Sequence, residues 1–283
     1  PARMVAYPVF WSLPPFLALL AWRGLPDLPA PFWLATLAAV PVNMAGHLLT
    51  AWAVRLSPVS RTVPYLCFSP AFVVLNEYLL LGVVPRPAGV AGVLLVVAGS
   101  WVLNVGGGTG STDSHIVARA LLPFCALAQE RGSRVMLGVA LLWSMGSVLN
   151  RQMVLHADPA VAGSVFFAIY GPVMLTALMV FGGVRPRMLF DRPLRGAAMG
   201  GVLFLASYVH FTAMSLTTAA NMIAVKRLDG VFAVLFDRLG EALRNAGQGR
   251  AMDADATLRP ARDGRLPGAA LMAAGAALVV LSS

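Results

Sequence analysis

Long apolar runs, broken at intervals by Arg, Pro, Gly and Asp, set the rhythm of this chain. Nine of them approach the roughly 20 residues that a helix needs to cross the hydrocarbon of a bilayer. They cover 4–22, 32–54, 62–83, 88–105, 135–154, 160–183, 196–217, 221–240 and 267–282. The breaks between them, such as "RGLPDLPAP", "PRPAG" and "VRPRMLFDRP", are built from residues that end helices and turn the chain. One break is long. The stretch 106–134 opens with the flexible polar "GGGTGSTDS" and continues as "HIVARALLPFCALAQERGSR", too charged and too short to span, which predicts a helix lying at the membrane interface. The pattern predicts an all-α polytopic membrane protein.

Composition agrees. Hydrophobic residues make up 58% of the chain and charged residues 12%, about half the share that a water-facing domain carries. The net charge of +9 does not point to nucleic acid, because the arginines sit in the loops between apolar runs, where they orient a membrane protein. Of the 21 basic residues, 20 are Arg, and the one lysine, Lys226, stands inside an apolar run. Cys67 and Cys125 form no metal or disulfide framework, and Cys67 reads as a small buried hydrophobe. Enzyme signatures are missing: there is no phosphate-binding Gly-Lys-Ser/Thr loop, no His-Glu-x-x-His and no water-facing domain large enough for a catalytic core. No cofactor is expected, and "GGGTG" lacks the strand and helix of a dinucleotide site.

The halves on either side of the linker resemble each other. "SPAFVVLNE" (69–77) matches "DGVFAVLFD" (229–237) at an offset of 160, with Phe72 on Phe232 and Glu77 on Asp237. "GVLLVVAG" (92–99) falls on "GAALMAAG" (268–275) at an offset of 176. The opening "PARMVAYPVFWSLP" (1–14) resembles "DPAVAGSVFFAIYGP" (158–172) at an offset of 158. Three matches in the same order predict two repeats, 1–105 and 135–283, joined by the linker 106–134. The second repeat has five runs and the first only four, so a counterpart to the run that begins at 135 is expected before Pro1. Five helices per repeat is an odd number, so tandem copies insert with opposite orientation, a common plan of secondary transporters with the solute site near the midplane.

Several segments resemble one family. "VMLGVALLWSMGSVLNRQMVLHADP" is similar to the opening helix of an EamA domain, and "SLTTAANMIAVKRLDGVFAVLFDRLGE" followed by "PGAALMAAGAALVVL" is similar to its last two helices. The resemblance covers the chain as two EamA repeats minus one helix. It implies the drug/metabolite transporter superfamily: ten helices in two inverted five-helix repeats, moving small metabolites without ATP hydrolysis. The chain departs from the family pattern at Asp229 and Asp237, where small or apolar residues are usual, and in the long charged loop from Glu241 to Pro267.

Ionisable groups inside apolar runs mark candidate sites. Lys226 is the foremost, as a contact for an anionic solute group. Asp229, three residues on, shares its helical face and is expected to neutralise it, and Arg227 lies between them as a further candidate or a snorkelling anchor. Glu77 is a candidate proton carrier if it is desolvated and an interfacial residue otherwise. Asn43 and His47 lie at i and i+4, one face of a helix. With no third ligand evident they predict interhelical hydrogen bonds or cavity lining rather than a metal site. His210 reads the same way, and Trp143 and Tyr170 are candidate aromatic walls. Pro14, Pro15, Pro41, Pro64, Pro70 and Pro172 are expected to kink helices and free carbonyls.

The residues favour a secondary transporter for a small polar or amphipathic metabolite in a bacterial-type inner membrane, with the lipid bilayer and a small-molecule solute as partners and proton coupling as a variant. A flippase for a lipid-linked carrier and a non-transporting scaffold are the alternatives. Sidedness sets two arguments against each other. Loop arginines concentrate in 106–134, 184–195 and 237–266, which strict alternation places on one side, and the positive-inside rule makes that side cytoplasmic. The family resemblance implies the reverse. The short loop 184–195 carries four arginines, which tips the reading toward charge.

Overall fold

The computed structural model describes residues 2–57, 62–84, 86–105, 130–229, 232, 239 and 265–281. Among them it is all helical, with nine α-helices and two short 3₁₀ segments. Helix α1 spans Ala2–Arg23 and α2 Ala30–Leu56; a 3₁₀ segment over Val63–Phe68 leads into α3, Ser69–Leu81, and α4 follows over Pro87–Val105. Then come α5 (Arg131–Val154), α6 (Pro159–Val180), a 3₁₀ turn (Pro186–Leu189), α7 (Pro193–Leu216), α8 (Ala219–Lys226) and α9 (Arg265–Leu281). Six stretches are long and apolar enough to cross a membrane, Pro64–Leu81 among them, and Pro87–Val102 and Gly268–Leu281 are shorter apolar helices. The chain is a polytopic integral membrane protein, as its hydrophobic runs predict.

Local chemistry sets most helix ends. Asp158 caps α6 by accepting from the Ala160 amide at 2.9 Å, with Pro159 pre-set for the first turn. Thr218 caps α8, its hydroxyl accepting from the Asn221 amide at 3.3 Å. Gly82 ends α3 in the left-handed region, φ 66°.

Three expectations change. Helix α5 begins at Arg131, so the last four residues of the expected linker are its first turn; Gly132 allows it, because a Cβ there would meet the Ala53 carbonyl of α2 at 2.9 Å. Pro64 and Pro70 start segments instead of kinking them, each at a first or second helical position where no amide partner is lost, whereas Pro14, Pro15, Pro41 and Pro172 do lie inside helices. The run 221–240 is not one helix: α8 stops at Lys226 and a turn follows at 227–228. The expected interfacial helix, Cys125, Asp237 and the loop 241–264 lie outside the described residues.

Helix α5 packs on α2 and α3, α1 on both α6 and α7, α3 on α8, and α4 on α9. The ends alternate. Arg3 pairs with Asp191 at one end, where Ser57 also lies against Gly132. At the other end Arg151 donates to the Met214 carbonyl and Glu77 meets the start of α8. Helices α4 and α9 run antiparallel and touch through glycines. A Cβ on Gly92 would lie 2.8 Å from the Gly275 carbonyl oxygen, and one on Gly99 would lie 2.6 Å from that of Gly268. Close approach of this kind replaces the hydrophobic drive that helices lack in lipid. Gly99→Ala therefore forces the two helices apart, and a loss of about 1–3 kcal/mol is expected, read as a lower unfolding midpoint in detergent; an unchanged midpoint would contradict the packing.

Candidate functional site

A space opens between the helices. A cavity of roughly 560 Å³ is lined by α1, α2, α5, α6, α7, the start of α3 and the end of α8. Of the residues singled out from sequence, Asn43, His47, Trp143, Tyr170 and His210 line it, as do Lys226 and Arg227. Glu77 and Asp229 do not.

The aromatic part is built by side chains one helical turn apart. Asn43 and His47 project from α2, and Phe166 and Tyr170 from α6, at i and i+4. His47 meets Trp143 edge to face, with ring centroids 4.7 Å apart at 89°. Tyr170 stacks on Phe166 at 5.2 Å and 12° and lies 6.2 Å from His47. Small residues let α2 and α5 close around this cluster: Gly46 faces the Trp143 indole, and Gly146 faces the Asn43 amide. Asn43 itself donates back to the Ala39 carbonyl at 2.8 Å.

The polar part lies around Asn150, His210, Lys226 and Arg227. The Asn150 amide and the His210 Nε2 are 3.4 Å apart. Arg227 donates through Nη2 to the Ser69 hydroxyl at 2.6 Å. This contact joins two helix irregularities, because Ser69 is where the 3₁₀ segment becomes α3, and Arg227 is where α8 ends. Asp229 lies outside the lining but close enough to act electrostatically on both Lys226 and Arg227. Four buried polar atoms of lining residues have no hydrogen-bond partner: Asn150 Oδ1, Tyr170 Oη, His210 Nδ1 and Arg227 Nε. Buried polar groups are ordinarily satisfied, so these four, all in residues around one cavity, are exceptions.

Glu77 has another role. It is 3% exposed, and its two carboxylate oxygens accept from the Ala219 and Ala220 amides at 2.9 and 3.1 Å. A carboxylate from α3 thus caps the N-terminus of α8, where the helix dipole also favours negative charge. Next to it, Asn76 donates to Ser144 at 2.6 Å and ties α3 to α5.

Ser147, Asn150, Ser207 and Phe211 also line the cavity and were not expected there. A signal for them is present: Trp143, Ser147 and Asn150 fall at i, i+4 and i+7, a polar stripe on an otherwise apolar helix, and Ser207 and His210 fall at i and i+3.

Residues 1–105 match the model of the EamA-like transporter family. That segment is EamA-like. Over that segment the match agrees with the EamA resemblance, and the family it names is one of transporters. No curated protein matches the chain. One solved protein crystal structure is similar at 20% identity and a TM-score of 0.66, over 100% of this chain and 90% of that one. At that identity the likeness concerns the fold alone, which is shared over the whole chain.

Proposed function

We infer that the protein is a secondary transporter that carries a small polar or amphipathic solute through the central cavity by alternating access. The observation that carries this reading is the cavity itself: both halves of the chain contribute to it, Asn43 and His47 from the first, Asn150, His210, Lys226 and Arg227 from the second. An inverted repeat supports the alternation. Gly92 meets Gly275 while Gly99 meets Gly268, and the repeat offset of 176 exchanges one contact for the other, the signature of a two-fold relation. The offset of 160 likewise places the 3₁₀-to-α change at Phe68 and Ser69 on the turn and restart at Leu228 and Asp229. Discontinuous helices meeting at mid-depth are where transporters of this plan hold their solutes.

The test is uptake into proteoliposomes without ATP, from a labelled metabolite extract. A solute accumulating above empty vesicles supports the reading, and none accumulating under any ion gradient refutes it. A proton could travel on Glu77 only if the α8 cap opens. The inner membrane of a bacterial-type cell is the proposed location, with the arginine-rich end cytoplasmic. Cysteines placed at Arg187 and Ser283 test the orientation: an impermeant thiol reagent should reach 283 from outside and not 187, and the opposite labelling overturns it.

A further inference from the structure

We propose that the connection between α6 and α7 is a seat for the headgroup of an anionic phospholipid. The seat lies at the rim of the protein, outside the cavity, and does not depend on transport.

Position comes first. Helices α6 and α7 are both long and apolar enough to cross a membrane, and α6 ends at Val180 while α7 begins at Pro193. A connection this short stays close to the membrane edge, at headgroup depth. Its apolar side chains agree with that depth: Phe181, Phe190 and Leu194 are exposed, and at the membrane edge their favourable neighbour is lipid.

Charge is the second feature. Over 181–195 the sequence has four arginines, Arg185, Arg187, Arg192 and Arg195, and one carboxylate, Asp191. Asp191 is engaged by Arg3 from α1, so it does not neutralise the four. All four are exposed, and none is in an ion pair among the described residues. Exposed guanidinium groups at this depth are complementary to a lipid phosphate, whose oxygens match their planar fork. A zwitterionic lipid offers the same phosphate but brings its own cation in among the arginines.

The third feature is the frame that carries them. Tyr7 donates to the Arg192 carbonyl, Trp11 Nε1 to the Leu189 carbonyl at 2.9 Å, and Arg3 to the Met188 carbonyl at 3.3 Å. Phe190 packs edge to face on Phe10 and Trp11, with centroids 5.2 and 6.2 Å away. Backbone from Met188 to Arg192 is therefore tied to α1, and binding a headgroup there costs less ordering than on a loose loop. The opposite end of the protein is built differently. Arg23 lies over the Trp22 ring and precedes a connection that holds Asp27, and Arg86 is the one arginine between α3 and α4.

Short-chain phosphatidylglycerol and phosphatidylcholine with the same acyl chains are titrated onto the purified full-length protein in neutral detergent. The readouts are the melting midpoint and the lipid retained in native mass spectrometry. Phosphatidylglycerol should bind about tenfold or more tighter at low salt, and the preference should largely vanish at about 0.5 M salt, where surface charges are screened within a few ångströms. Arg192→Gln with Arg195→Gln should weaken phosphatidylglycerol about tenfold, since each basic residue at a membrane surface contributes several-fold. Arg23→Gln with Arg86→Gln removes the same charge from the opposite end and should leave the affinity within about twofold. If the loop pair does not fold, Arg187→Gln set against Arg23→Gln makes the same comparison. Phosphatidylcholine binding as tightly, both pairs losing alike, or phosphatidylglycerol neither shifting the midpoint nor being retained would each overturn the proposal. So would inorganic phosphate at the same concentration shifting the midpoint as far, which would mark a site for a free anion.

Discussion

Lys226→Ala is expected to reduce solute flux to that of empty vesicles while the protein still accumulates in the membrane. The lysine lines the cavity, and Asp229, which acts electrostatically on Lys226 and Arg227 alike, keeps a cationic neighbour when the lysine is removed. The substitution also removes the cost of holding a charge at depth in the membrane. What is lost is a charge-assisted contact to the solute, worth about 1.5–3 kcal/mol, or roughly ten- to a hundredfold in affinity. Lys226→Arg should fall well below the native rate too, because a planar fork does not replace a compact ammonium, and Arg227 already supplies a fork. Asp229→Asn should do less harm, since Asp229 lies outside the cavity lining. The measurements are initial flux and the amount of folded protein, taken together. If both single changes lowered expression and the double change restored expression and flux together, the two residues would form a structural pair, and the lysine would have no role in the site.

The spans were legible because lipid imposes one rule along the whole chain. An apolar run near 20 residues has few alternatives to a helix, and the expected runs 32–54 and 160–183 differ from the observed Ala30–Leu56 and Pro159–Val180 by only a few residues at each end. Lys226, His47 and Trp143 were legible as site candidates because a polar or large aromatic residue inside such a run needs a reason. Asn150 was harder to read. It lies next to Arg151, near the end of α5, and only the fold separates the two, sending Arg151 to the Met214 carbonyl and Asn150 to His210. The stop in α8 was not legible either. No proline or glycine precedes Lys226 in that helix, and the break coincides with the Arg227 contact to Ser69, a tertiary hydrogen bond between residues 158 positions apart. Glu77 shows the same limit: its depth was readable from the run, but its partner, the start of a helix in the other half of the chain, was not.

Glu77→Ala should be the most destabilising single change of those considered. Both carboxylate oxygens are committed, one to the Ala219 amide and one to the Ala220 amide, and the residue is 3% exposed. Those amides belong to the first turn of α8, where no carbonyl of the helix itself can reach them. Thr218 takes care of the Asn221 amide only. Alanine therefore leaves two N–H groups unsatisfied where water does not compete, at about 1–3 kcal/mol each. Glu77→Gln keeps one acceptor oxygen but turns a donor toward the second amide and withdraws the charge that the helix dipole favours, so an intermediate loss of about half as much follows from the same count. The readouts are the unfolding midpoint in detergent and the flux per folded molecule, with and without a pH gradient. A cap predicts that the midpoint falls in the order native, Gln, Ala, and that the folded fraction of Glu77→Gln still transports with its native response to the gradient. A Glu77→Gln protein with a native midpoint, whose flux no longer responds to the gradient, would instead make Glu77 the proton carrier. The α8 cap would then be a contact that opens in each transport cycle.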